Sequence, residues 1–185
     1  MCESLSFRAV GADSPDLTLL ESVNEETIPE NERVALSNLL ATGADGNLEL
    51  TGIYLKDEPV GFCAARSYKG VLYIAFLAVR SDLRGKGIGS AALKDLIRRH
   101  PEQKVIVEFE APRDDADNND IRVRRKRFYL RNGFYETCCF SSYHGTEFEI
   151  GCSDPLFDLA EYGEFLDWLA SVIEDPVPKP YLKQH

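Results

Sequence analysis

The sequence predicts an α+β fold: one central, mixed and mostly antiparallel sheet of about six to seven strands, flanked by helices, with an extra helix at its C-terminal end. Three observations predict it. The hydrophobic period shifts from about 3.6 to about 2 near residue 48 and holds through three successive runs. A strand, Gly-rich turn, helix and strand then follow, which is the order of a βαβ unit. Two further short strands precede a last helical pattern. The 185 residues suffice for one good core and not for two, at roughly 100 to 200 residues per domain. A single domain over 1–175 is expected, with a Pro-rich tail over 176–185.

Residues 16–23 carry a short helical pattern. Thr27-Ile28-Pro29-Glu30 has capping-box spacing with Pro early in the first turn, so a second helix is predicted over 29–41. Its Leu36, Leu39 and Leu40 keep helical spacing, and Gly43 supplies a stop. Strands over 48–55, 60–66 and 71–79, separated by Lys56-Asp57-Glu58-Pro59 and Tyr68-Lys69-Gly70, read as an antiparallel meander. The third, Val71-Leu72-Tyr73-Ile74-Ala75-Phe76-Leu77-Ala78-Val79, lacks polar alternation, as a strand covered on both faces does, and is expected to be central. A helix over 87–100 places Ile88, Ala92, Leu93, Leu96 and Ile97 on one side and ends with Arg98, Arg99 and Pro101. Residues 104–111 form the next strand, parallel to 71–79 through a right-handed crossover. A polar loop over 112–119 leads to a helix ending near Asn132-Gly133, followed by strands over 134–141 and 147–152. Asp154-Pro155 opens a final helix with Leu159, Leu166, Leu169 and Ile173.

The chain carries 21 Lys+Arg against 31 Asp+Glu, a net charge of -10, which opposes general attraction to nucleic-acid phosphates. No apolar run approaches the roughly 20 residues of a membrane helix, and the first ten residues lack a basic and then apolar leader. A cytoplasmic protein, with neither a membrane nor a nucleic acid as partner, is expected. The five cysteines show no CxxC and no zinc-like spacing with the three histidines, so reduced thiols and no metal are expected. The charge is uneven. Residues 80–131 hold 14 Lys+Arg and 9 Asp+Glu, a net of +5, leaving 7 bases and 22 acids elsewhere, a net of -15. An anionic ligand is therefore expected at the middle of the chain.

Arg84-Gly85-Lys86-Gly87-Ile88-Gly89-Ser90 lies between the apolar strand and its helix. Three glycines let the backbone turn tightly and approach a ligand. The first N–H groups of the helix, its dipole and the charges of Arg84 and Lys86 then favour a phosphate. A Walker A loop is excluded, since no GxxxxGK[ST] occurs. The dinucleotide fingerprint matches Gly85 and Gly87 but meets Ser90 at its third glycine, although Glu108 and Glu110 lie about 20 residues on.

Leu77-Ala78-Val79 followed by Arg84 through Gly89 resembles the acetyl-CoA-binding motif of the GNAT N-acetyltransferases, with Arg84, Gly87 and Gly89 in its fixed positions. Downstream, Arg127-Phe128-Tyr129-Leu130-Arg131-Asn132-Gly133-Phe134 resembles the family's Phe-Tyr-x-x-x-Gly-Phe segment. The element order matches for nearly the whole chain, the last helix being an appendage. It is most similar to uncharacterised bacterial members with a basic run, here Arg124-Arg125-Lys126-Arg127, before that segment.

The resemblance implies a GNAT-like fold and an enzyme that moves an acetyl group from acetyl-CoA, its co-substrate, to a primary amine by direct attack, with no metal. It places the pyrophosphate on the N–H groups of Gly85, Lys86, Gly87, Ile88, Gly89 and Ser90, and pairs the pantetheine arm with Leu77, Ala78 and Val79. An alkyl amine of pKa about 10.4 must lose a proton before attack. Glu108 and then Glu110, two apart on one strand and so on one face, are the candidate bases, like-charge repulsion raising the pKa of one of them. Tyr129 is the candidate acid for the CoA thiolate, a phenol's pKa of about 10 lying within roughly two units of a thiol's 8.5. The four basic residues before the motif are expected near the CoA phosphates. Asn118 and Asn119 lie earlier than the family's usual asparagine, and Glu30 and Glu32 fall where acceptor-side helices contribute. The acceptor is a small-molecule or protein amine, cationic by the -15 remainder, and the chain a monomer or homodimer. A CoA-binding sensor without chemistry is the alternative.

Overall fold

The computed structural model describes residues 4–30, 32–43, 45–173 and 177–183, which form eight strands and five α-helices. Cys2, Asn31 and the expected domain boundary at 175/176 lie outside the described residues. The chain divides into two compact units, one running up to Ser67 and including Ile74–Pro101, the other comprising Tyr68–Tyr73 and the chain from Glu102 onward.

The first unit holds β1 (Leu5–Ala9), α1 (Leu17–Thr27), α2 (Leu36–Ala41), β2 (Leu48–Leu55), nearly all of β3 (Glu58–Tyr68), the end of β4 (Val71–Val79) and α3 (Ile88–Arg99). Its strands run in the order β1-β2-β3-β4, β1 antiparallel to β2 and β2 to β3. Side chains that alternate across the strands feed two cores. Leu50, Phe62, Ala64 and Ala78 pack with Leu20 and Val23 of α1 and Leu36 and Leu39 of α2. Ile53, Val60, Leu77 and Val79 pack with Ile88 and Ala92 of α3.

Gly61 marks where β3 meets β4. A Cβ there would stand 2.4 Å from the Ala78 carbonyl oxygen, so the backbones approach more closely than a side chain permits. Gly61→Ala is expected to destabilise the protein by about 1–3 kcal/mol, read as a lower midpoint in urea with an unchanged slope.

The second unit holds β5 (Lys104–Glu110), α4 (Asn119–Arg131), β6 (Tyr135–Tyr143), β7 (Thr146–Cys152), α5 (Leu159–Ile173) and β8 (Tyr181–Leu182), in the strand order β5-β7-β6-β8 with each of these pairs antiparallel. Ile106, Ile150 and Cys152 meet Tyr162, Phe165, Leu166 and Leu169 of α5 in one core. On the other face Phe109 stacks on Tyr129 of α4, ring centroids 5.5 Å apart. A bulge in β6 puts Cys138 at φ 58; Cys138 is exposed while Cys139 is buried.

Two strands escape the hydrophobic pattern: β1, whose five residues do not alternate cleanly, and β8, which is two residues long after Pro180. The capping box expected at Thr27 is absent, because Thr27 closes α1 and its hydroxyl bonds the Val23 carbonyl. α2 starts at Leu36, capped from a distance by Glu21, whose Oε2 accepts the Leu36 N–H at 2.7 Å. Asp154 forms a local turn onto the Leu156 N–H, and Asp158 caps α5 by accepting the N–H groups of Ala160 and Glu161.

Candidate active site

In the first unit the glycine loop is held from both ends. Leu83, in a single 3-10 turn over Ser81–Leu83, and Ile88, the first residue of α3, are buried in one core, whereas Arg84, Gly85, Lys86 and Gly87 are exposed. Gly85 at φ 78 and Gly87 at φ 81 occupy the left-handed region, which turns the chain back onto the helix start. Among the described residues no side chain caps α3 and no acid lies in its first turn, while the Ala91 N–H donates to the Gly87 carbonyl. The N–H groups of Ile88, Gly89 and Ser90 are therefore left for an anion. The Arg84 Nε donates to the Val79 carbonyl at 3.2 Å, which ties the loop to the end of β4, where Leu77, Ala78 and Val79 lie. Glu26 of α1 accepts from the Ser81 N–H at 2.9 Å and from its hydroxyl; these bonds hold its carboxyl below the ordinary range.

In the second unit Glu108 and Glu110 have different surroundings. Glu108 is partly exposed yet set deep, accepting from the Tyr162 hydroxyl at 3.0 Å and from Ser141. Burial raises its pKa, against the pull of those two donors. The rise thus comes from desolvation rather than from the like-charge repulsion expected of a Glu108/Glu110 pair. Glu110 is held by guanidinium groups of α4, Arg122 at 3.0 Å and Arg125 at 3.7 Å. Asn118 lies 3.5 Å from it and accepts from Arg122. Tyr129 is nearly buried, with Phe109 stacked on one side and Phe128 and Phe134 edge-on at 5.2 and 5.4 Å.

The basic run before Phe128 divides. Arg125 faces Glu110, and Lys126 turns into the protein to donate to both oxygens of Glu149 at 2.9 Å and to Glu136. Glu149 is 4% exposed and burial lifts its pKa. Lys126→Met is expected to cost about 1–2 kcal/mol near neutral pH, less than the roughly 3–5 kcal/mol of a fully buried broken pair, since Glu149 then takes up a proton. The cost shrinks as pH falls, because protonated Glu149 needs no cation, and melts at pH 5 and pH 8 measure the difference.

A model of the acetyltransferase (GNAT) family matches residues 17–134. The chain belongs to the GNAT family. Its fold is the GNAT fold, an α+β arrangement with eight strands and five α-helices among the described residues. A protein from Bacteroides thetaiotaomicron assigned to the GNAT acetyltransferases is 21% identical, with a TM-score of 0.74 over 93% of this chain and 99% of its own. PaiA N-acetyltransferase of Thermoplasma acidophilum in complex with coenzyme A is 14% identical, with a TM-score of 0.58 over 80% of this chain and 98% of that one. A GNAT acetyltransferase of Elizabethkingia anophelis with acetyl-CoA bound is 15% identical, with a TM-score of 0.56 over 81% and 97%. No curated protein matches the sequence. Membership in the GNAT family makes acyl transfer the general chemistry of this chain. No helix among the described residues is long and apolar enough to cross a membrane, and none of their His, Cys, Asp and Glu side chains group in threes as a metal site would need.

Tyr162, Ser141 and Glu26, which touch the candidate groups, were not singled out by the sequence motifs. One signal was present for Tyr162: it stands three residues after Leu159 and four before Leu166, on the apolar stripe of α5, where a tyrosine needs a hydrogen-bond partner.

Proposed function

We propose that this chain is an acetyl-CoA-dependent N-acetyltransferase that acetylates a primary amine by direct attack. The observation that carries the reading is the loop at the start of α3, where two left-handed glycines present uncapped N–H groups with no acid in the first turn. Under this reading the pyrophosphate rests on Gly85, Lys86, Gly87, Ile88, Gly89 and Ser90, with Arg84 and Lys86 adding positive charge. Leu77, Ala78 and Val79 offer main-chain groups to the pantetheine arm. Glu108 takes the amine proton: its desolvated carboxyl favours the protonated form, so it is a stronger base than an exposed glutamate. Glu110, neutralised by Arg122 and Arg125, orients α4 against the end of β5.

Tyr129 protonates the departing thiolate. Tyr129→Phe keeps the aromatic stack and is expected to lower kcat by about 10²-fold, the low end of general-acid effects, with the KM for acetyl-CoA nearly unchanged. The acceptor is a small-molecule or protein amine, and the acidic remainder of the chain favours a cationic one.

The reading is tested in two steps. Acetyl-CoA is expected to raise the Tm where NAD and NADP do not. Thiol release from acetyl-CoA is then followed across a panel of mono- and polyamines, amino acids and lysine-containing peptides. Tight binding with no thiol release for any acceptor would overturn the enzyme reading in favour of a CoA sensor.

A further inference from the structure

The Tyr162 hydroxyl reaches Glu108 from α5, a helix that begins 25 residues beyond the family match at Phe134. Its side chain has no exposed surface. The ring stacks on Phe165 with centroids 5.9 Å apart and leans on Tyr73 and Phe157, so it has no room to swing aside. Ser141 of β6, buried as well, bonds the same carboxylate from a second direction. Tyr73 of β4 is another titratable group facing Glu108, and burial raises both phenols, which keeps them neutral. Among the described residues, the groups acting on the Glu108 carboxylate are therefore uncharged hydroxyls.

We propose that Tyr162 is a positioning residue of the transfer reaction, its hydroxyl fixing the orientation and proton affinity of Glu108, so that α5 forms part of the catalytic apparatus. This rests on Glu108 being the base. The chemistry is a balance: burial alone drives the carboxyl toward its neutral acid, while a donor stabilises the carboxylate and brings its pKa back down. A carboxylate held by two hydroxyls also keeps one rotamer, so its basic lone pair points one way.

Two readouts test this, one of which needs no acceptor. In 13C-labelled protein the Glu108 carboxyl carbon is titrated by NMR; for wild type, Tyr162→Phe and Ser141→Ala, the pH profile of kcat/KM is recorded with acetyl-CoA and the fastest amine of the panel. Removing a donor to the charged form raises the Glu108 pKa. In Tyr162→Phe both the NMR midpoint and the acidic limb are expected to move up by about one pH unit. The rate falls about tenfold below the limb and little above it, with the KM for acetyl-CoA unchanged. Ser141→Ala moves both in the same direction and carries the test should Tyr162→Phe fail to fold. A midpoint and limb that stay in place in both variants would overturn the proposal and leave Tyr162 as packing. Glu108→Gln separates this from the parent reading. If it loses the limb and most of the rate, the base stands whatever Tyr162 does; if it keeps the wild-type rate, Glu108 is not the base and the role of Tyr162 falls with it.

Discussion

Glu108→Gln is expected to lower kcat/KM for acetyl transfer by about 10²–10⁴-fold and, at the same time, to raise the Tm. The two effects share a cause. Burial raises the carboxyl pKa in the folded protein, so the native state binds a proton more tightly than the unfolded chain does. Stability then falls as pH climbs from the unfolded to the folded pKa, and stays lower above it. The amide is isosteric, keeps an oxygen to accept from Tyr162 and carries no charge to desolvate, so its advantage over the wild type grows across that window. Melts at pH 4, 6 and 8 alongside initial rates check both halves. A variant that is inactive but equally or less stable at pH 8 would show that the carboxylate is not held at an energetic cost. The same raised pKa places the acidic limb of the wild-type kcat/KM profile above the ordinary carboxylate range, activity rising with pH as Glu108 ionises.

Gly87→Val is expected to raise the KM for acetyl-CoA by about 10- to 100-fold and to abolish most of its thermal shift. Gly87 is the N-cap of α3 at φ 81, and a Cβ there would meet nothing within 4 Å. The penalty is therefore conformational rather than steric: a β-branched residue in the left-handed region costs about 1–3 kcal/mol. The exposed loop relaxes to escape that cost, and the N–H groups of Ile88, Gly89 and Ser90 lose their common aim. The folded core, anchored by Leu83 and Ile88, is left largely as it was. Gly87→Asn, which tolerates this region better, is expected to lose several-fold less. Equal losses for Val and Asn would mean that the residue type, and not the backbone angle, matters.

The features legible in the sequence were those written in local chemistry. The apolar run of β4, the three glycines after it and the heptad-like stripe of α3 each follow from spacing along the chain, and each stands in the structure within a residue or two of its expected place. What the sequence hid was settled by partners distant along it. Glu21 caps α2 from 15 residues away, so a local box at Thr27 was unnecessary. The middle segment's surplus of bases suggested a field for phosphates, yet Arg99 meets Glu49 and Asp95, Lys104 meets Glu161, and Lys126 meets Glu136 and Glu149. Formal charge counted along the chain therefore overstated what a ligand would feel. The separate fates of Glu108 and Glu110 were equally hidden: strand alternation gives them one face, but only folding gives one a tyrosine and the other two arginines.

The short strand β8 has a consequence for how the molecule behaves in company. It covers Cys139 and Phe140 of β6, and Tyr181 of the strand and Lys183 just after it are fastened to Glu147. Pro180 stands directly before it with no N–H to offer, and Pro178 stands two residues earlier. A foreign strand approaching this border finds two residues of ladder, then a proline, then a lysine. Beside residues 139 and 140 this short, proline-led strand leaves little ladder to extend, a local brake on edge-to-edge pairing that clipping the tail is expected to remove.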